Sequence, residues 1–167
     1  MSYDPTSLQP GMVVLCLPDP HAAWPARLLD AAIAWSDGPF VHAALVGDGC
    51  LIEQVDPVMR APLPKYATNG WAYRVDGATS DQIARAIAWA TARLGQPYGV
   101  RELCDDALRL DAHWLPRGRP LHHYTCSGFV ALACQQAGVR LTWAPWPTPT
   151  DLGASPVLLG PRPRPLG

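Results

Sequence analysis

Two short apolar runs, residues 40–46 and 51–55, flank Gly47-Asp48-Gly49-Cys50, and this stretch constrains the fold of the chain more than any other. Asp-Gly is a favoured centre for a two-residue hairpin turn, because both residues tolerate the backbone angles such a turn demands. A turn centred on Asp48 and Gly49 places Ala44 opposite Glu53 and His42 opposite Val55. Side chains alternate between faces along a strand, so His42 and Glu53 fall on one face as diagonal neighbours. Gln54 points to the other face, and Asp56 lies beyond the strand. A histidine and a carboxylate sharing one face of an otherwise apolar hairpin call for a chemical reason.

Residues 123–138 form the second informative stretch. Thr125 is suited to cap a helix whose apolar residues Phe129, Val130, Ala133 and Ala137 follow at helical spacing, and Gly138 ends it. Cys126 then lies in the first turn, facing unpaired backbone N–H groups and the positive end of the helix dipole. Both favour thiolate over thiol. A buried core cysteine, a satisfied core histidine and a solvent-facing glutamate would each explain one of the three residues separately. Together, a helix-start thiol, a histidine on a rigid strand and a carboxylate beside it match the needs of a nucleophile, its base and the group that orients the base. No histidine follows Cys126, so the base lies upstream. His21 and His113 sit in loops, and His122 and His123 are too close in sequence to reach the thiol without a tight reversal. A metal site built from His113, His122, His123 and Cys126 matches no common zinc spacing. Neither a metal nor another cofactor is expected.

The remaining chain reads as an α+β protein. Residues 11–17 are a buried strand. Residues 24–35 are a helix with Pro25 in its first turn and a broad apolar face of Leu28, Leu29, Ala32, Ile33 and Trp35. Residues 57–69, with three prolines, are an irregular crossing segment. Residues 71–75 alternate as a strand. Ser80 and Asp81 cap a helix with Ile83, Ile87, Ala90 and Leu94 on one side, closed by Gly95 and Pro97. Residues 100–110 suggest a further helix and 111–121 a loop. Seven of the nineteen prolines fall between Pro145 and Pro165, which points to an extended tail along the surface. The expected organisation is one domain over residues 1–155 with a proline-rich tail over 156–167.

With a formal net charge of −1 and no basic cluster, nucleic acid is not an expected partner. The five cysteines include no CxxC, so neither a redox motif nor a zinc ribbon is indicated. No basic segment followed by an apolar run opens the chain, and no apolar stretch is long enough to span a membrane. These features suit a cytoplasmic protein with reduced thiols and no integral membrane segment, with export by a partner system left open.

Taken together, these pieces resemble the circularly permuted branch of the NlpC-type papain-like cysteine hydrolases, which includes YiiX-like amidases and lecithin retinol acyltransferase-like proteins. The matching residues are the strand from Gly11, Phe40-Val41-His42-Ala43-Ala44-Leu45-Val46, Leu51-Ile52-Glu53, Leu94-Gly95-Gln96-Pro97-Tyr98, Tyr124-Thr125-Cys126-Ser127-Gly128-Phe129-Val130 and Thr148-Pro149-Thr150-Asp151-Leu152. They occur in the permuted order, histidine strand before nucleophile helix, over most of residues 11–155. Gly11-Met12 replaces the Gly-Asp with which the opening strand usually begins.

The resemblance implies an antiparallel sheet packed against helices, with the nucleophile at a helix N-terminus. It implies Cys126, His42 and Glu53 as a triad acting through an acyl-enzyme. Tyr124 is either a hydroxyl donor or part of the wall. Tyr98 is either a cleft residue or a turn aromatic. The implied substrate is a small peptide, N-acyl or lipid-like molecule. Hydrolysis of an amide in cell-wall peptides or N-acyl compounds comes first. A lipid acyltransferase or thioesterase-like enzyme, with Trp24, Leu28, Leu29, Ile33 and Trp35 as its acyl site, comes second. A catalytically silent binding module comes third.

Overall fold

Val13, Val14, Leu15 and Cys16 form strand β1 (Val13–Cys16), fully enclosed on both faces, as their unbroken apolar run requires. In the computed structural model, which describes residues 3–21, 23–55, 57–96, 125–145 and 147–161, β1 lies near the middle of a six-stranded sheet. The other strands are β2 (His42–Val46), β3 (Leu51–Gln54), β4 (Val58–Ala61), β5 (Gly70–Val75) and the short β6 (Leu158–Leu159). Their order is β4-β3-β2-β1-β5-β6 and every pairing is antiparallel. The described helices are α1 (Trp24–Asp37), α2 (Ser80–Thr91), α3 (Cys126–Gln136) and α4 (Pro149–Gly153). The architecture is therefore α+β, an antiparallel sheet packed against several helices.

The hairpin has the register that its turn residues dictate. Ala44 opposes Glu53, Leu45 opposes Ile52 and Val46 opposes Leu51, about a turn centred on Asp48 and Gly49. Only Gly49 takes a positive φ, 69°. The strand is shorter than expected: β3 ends at Gln54, so Val55 lies outside it and forms no ladder partner for His42. The partner recorded for His42 is Cys16, on β1.

The two faces of the sheet are filled differently. Val13, Leu15, Ala43, Leu45, Ile52 and Tyr73 point to the helices, where Ile87 and Ala90 of α2 and Phe129, Val130 and Ala133 of α3 complete a core. Burying each large side chain of this kind contributes about 1.5–3 kcal/mol. Phe129, fully enclosed, also meets Trp89 with ring centroids 5.6 Å apart. The opposite face carries Val14, Cys16, Ala44, Val46 and Leu51. It is covered by the N-terminal segment through Tyr3 and Leu8 and by residues 63–67 through Leu63, Tyr66 and Ala67.

Three sequence expectations give way here. Residues 57–69 are not irregular throughout: they contain β4, paired with β3 along its length, and a 3₁₀ turn at Leu63–Tyr66. The prolines are compatible with both, because Pro62 and Pro64 fall at the ends of these short elements rather than inside a central strand. Residues 145–161 are not simply an extended surface run. Thr148 and Asp151 form a reciprocal capping box that starts α4, Pro149 occupies the first helical turn, and β6 adds to β5. The helix α2 begins one residue earlier than predicted, with Thr79 as its cap and Gln82 closing the capping box.

On α1, the expected apolar face does not include Trp35, which is 91% exposed; Trp24 is 72% exposed. Eleven residues apart, the two indoles project from nearly the same side of the helix. Ile33 is half-buried. The side chains of Leu28, Leu29 and Ala32 lie outside the described residues, as do the expected helix at 100–110 and loop at 111–121.

Candidate active site

Helix α3 starts where its cap places it. The Thr125 hydroxyl accepts the Gly128 backbone N–H at 3.2 Å, making Cys126 the first helical residue. The Ser127 hydroxyl donates to the Pro147 carbonyl at 2.6 Å, which ties the start of α3 to the segment leading into α4. Phe129, Val130 and Ala133 seat the helix on β2 and β3, so its N-terminal end reaches the beginning of β2.

There Cys126, buried, lies beside the His42 imidazole and close to the backbone N–H groups of Ala43 and Ser127. Burial alone would raise the thiol pKa. The adjoining imidazole and the two backbone donors outweigh it and hold the thiol below its ordinary range.

His42 joins two partners. Its Nε2 lies 3.0 Å from Glu53 Oε2, and Cys126 adjoins the ring. Burial alone would favour the neutral ring. The Cys126 sulfur and the Glu53 carboxylate overcome that tendency and bring the imidazole to about 9. The lowered thiol and the raised imidazole share one cause, the attraction between the charged forms of the two groups.

Glu53 is completely enclosed, and a carboxylate in that position must be hydrogen-bonded or take up a proton. Besides His42 it has two partners. The Tyr66 hydroxyl donates to Oε2 at 2.6 Å, and the Lys65 ammonium donates to Oε1. Burial alone would raise its pKa, but the hydrogen bonds from His42, Lys65 and Tyr66 lower it to about 2. The Tyr66 ring also lies against the imidazole, centroids 5.4 Å apart. The Tyr3 hydroxyl fixes the 3₁₀ turn itself by donating to the Leu63 carbonyl at 2.6 Å.

No family model and no curated protein matches the chain.

The structure thus brings Cys126, His42 and Glu53 together, with His42 between the other two. Tyr98 and Tyr124, the expected substrate-contacting residues, lie outside the described residues, as do His113, His122, His123 and Cys104. His21 is exposed in the turn after β1. Two other cysteines are chemically quiet. Burial pushes the Cys16 thiol well above its ordinary value, and the nearby Cys126 and Glu53 add to the effect. Burial pushes Cys134 up to about 12.

Lys65 and Tyr66 escaped the sequence reasoning. They sit in a proline-containing segment whose local pattern carries no register relative to Glu53. The signal available was indirect: a carboxylate predicted on an apolar face requires donors, and the following segment contains adjacent Lys and Tyr.

Proposed function

We propose that this chain is a cysteine hydrolase that cleaves an amide bond in a cell-wall peptide or N-acyl compound, built on a permuted NlpC-type papain-like fold. The observation that carries this proposal is the juxtaposition of Cys126, the first residue of a capped helix, with His42 and its hydrogen-bonded partner Glu53. The permuted order of the histidine hairpin and the cysteine helix on an α+β scaffold supports the same proposal.

In the proposed reaction the Cys126 thiolate attacks the carbonyl carbon, and the C=O electron pair moves onto oxygen. The Cys126 backbone N–H, which has no partner within its own helix, is a donor for that oxyanion. Collapse breaks the C–N bond as the His42 imidazolium delivers its proton to the departing amine. The neutral imidazole then takes a proton from water, whose oxygen attacks the thioester. The acid is released and the thiolate–imidazolium pair returns. Glu53 keeps the ring oriented and favours its protonated form.

Lipid acyl transfer ranks below amide hydrolysis. Trp24 and Trp35 of the expected acyl site stand in solvent instead of lining a pocket.

The test is a panel of peptide amides, N-acyl amides and long-chain acyl esters, read by product release and by intact mass of the protein. Turnover of amides, with an acyl adduct mapped to Cys126 and lost in Cys126→Ala, supports the proposal. Preference for long-chain esters would move the assignment to acyl transfer. Absence of any adduct, with Cys126 no more reactive than Cys50, would leave a binding module.

A further inference from the structure

We infer that Lys65 and Tyr66 are positioning residues of this site: from a single 3₁₀ turn they hold the buried Glu53 carboxylate as an anion aimed at His42. The inference rests on assigning Cys126, His42 and Glu53 to catalysis, but its test reads the Glu53 carboxyl directly.

The starting point is charge. A thiolate, an imidazolium and a carboxylate in sequence carry one net negative charge, and Glu53 at its end is fully enclosed. An enclosed, uncompensated anion is expensive, and a carboxyl group escapes that expense by taking up a proton. Lys65 closes the series with a cation, giving alternating signs and no net charge. It does so cheaply, because its side chain is 36% exposed and its ammonium keeps part of its hydration.

The geometry divides the work. Glu53 Oε1 receives Lys65, while Oε2 receives both Tyr66 and His42. The groups facing Glu53 come from every neighbouring element: His42 from β2, Cys16 from β1, Lys65 and Tyr66 from the turn, and Tyr3 from the N-terminal segment. His42 is faced in addition by Cys126 from α3 and Asp30 from α1. Among these described groups, Lys65 is the cation available to Glu53 besides His42 itself. A proton on Glu53 would turn an acceptor into a donor toward Nε2. The ring would then become an acceptor at that nitrogen and lose its imidazolium character, and the thiolate would lose its counter-ion.

The experiment is a ¹³C NMR titration of the Glu53 carboxyl in the full chain labelled at its glutamate carboxyl carbons, assigned by comparison with Glu53→Gln. The proteins are wild type, Lys65→Met, Lys65→Arg and Tyr66→Phe. The expected result is at least a tenfold gain of Glu53 proton affinity in Lys65→Met, about one pH unit upward in the midpoint. Lys65→Arg should restore most of the wild-type value, and Tyr66→Phe should fall between. His42 stays protonated throughout this acid range and does not obscure the reading. A purely structural lysine would not move the carboxyl in this charge-dependent way. Midpoints in folded Lys65→Met and Tyr66→Phe that superimpose on wild type would overturn the inference, as would Lys65→Arg behaving like Lys65→Met. Should Lys65→Met fail to fold, Tyr66→Phe decides: a raised midpoint supports the role and an unchanged one ends it. A carboxyl that responds as expected in a protein with no turnover would remove the hydrolase assignment and leave the positioning role standing.

Discussion

Glu53 Oε2 meets His42 Nε2 at 3.0 Å although the two residues do not oppose each other in the sheet. Glu53 faces Ala44 across the β2–β3 ladder, and His42 faces Cys16 on β1. The contact is a diagonal one, made possible because Ala44 is too small to stand between the two side chains and both point to the same face. The hairpin thereby presents the histidine to the cysteine helix while holding its carboxylate partner entirely out of solvent.

The thiolate–imidazolium pair predicts an unusual pH profile for Cys126. Its thiol is held below the ordinary value of 9.0, so thiolate persists as the pH falls below that value. The imidazole is raised from 6.5 to about 9, so imidazolium persists as the pH rises until about 9. Alkylation of Cys126 by limiting iodoacetamide, followed by mass spectrometry, should outpace that of Cys50 throughout this window. His42→Ala removes the counter-ion from a buried thiol and should abolish the advantage. With substrate, kcat/KM should decline above about 9 as the leaving group loses its proton donor.

Glu53→Gln keeps the shape and removes the charge. Activity should fall on the order of 10²–10⁴-fold, as expected when a triad loses the anion that fixes the ring. The same substitution should alter acid stability. The folded carboxyl is lowered from 4.5 to about 2, so its stabilising contribution is fully present above 4.5 and disappears as the pH falls through about 2. Thermal unfolding followed across that range should decline with acid more steeply in wild type than in Glu53→Gln. Parallel curves would contradict it.

His42 has the opposite sign. Its folded value lies above 6.5, so its contribution is complete below 6.5 and is lost as the pH rises through about 9. His42→Ala should accordingly flatten the alkaline side of the stability curve between those values, measured by denaturant midpoints at constant ionic strength.

Gly70→Ala is expected to disturb the site from a distance. A Cβ there would stand 2.6 Å from the Tyr66 carbonyl and 2.7 Å from Tyr3 Cε1. One obstacle is backbone, so the 3₁₀ turn must shift, at a cost of about 1–3 kcal/mol. Because that turn carries Lys65 and Tyr66, the variant should lose both unfolding free energy and Cys126 reactivity. Gly49→Ala tests specificity: nothing lies within 4 Å of its added Cβ, and its cost comes from the positive φ of 69° alone. It should lower stability without changing Cys126 alkylation in the folded state.

Thr125→Ala removes the cap hydroxyl that accepts the Gly128 N–H. The expected loss is about 1 kcal/mol of stability, with Thr125→Ser recovering most of it. Chemical denaturation measures the first, and Cys126 alkylation in the same proteins reports whether fraying of the first turn reaches the thiol.

Several elements were legible because their determinants are local. The Asp48–Gly49 turn sets a register, and that register places His42 and Glu53 on one face. The Thr125 cap and the apolar spacing of Phe129, Val130 and Ala133 define α3 and set Cys126 at its start. The four-residue strand β4 was obscured by flanking prolines, and α4 by the expectation that a proline-rich run stays extended. In both cases pairing or capping by neighbouring residues decides the outcome, and neither leaves a long periodic trace. Trp35 followed the helical spacing of an apolar face yet stands in solvent. Periodicity identifies a stripe but does not establish what covers it.

The sequence by itself determined the two local frames of this protein, a hairpin carrying His42 and Glu53 and a capped helix beginning with Cys126. Turn chemistry, strand alternation and helix capping act over a few residues, so they can be read without knowing the rest of the chain. Only the tertiary structure decided that α3 brings the thiol to the start of β2, and that Lys65, Tyr66 and Tyr3 enclose the carboxylate. Those contacts join segments far apart in sequence. Their existence depends on core packing and on the need of a buried charge for partners, which no local pattern encodes.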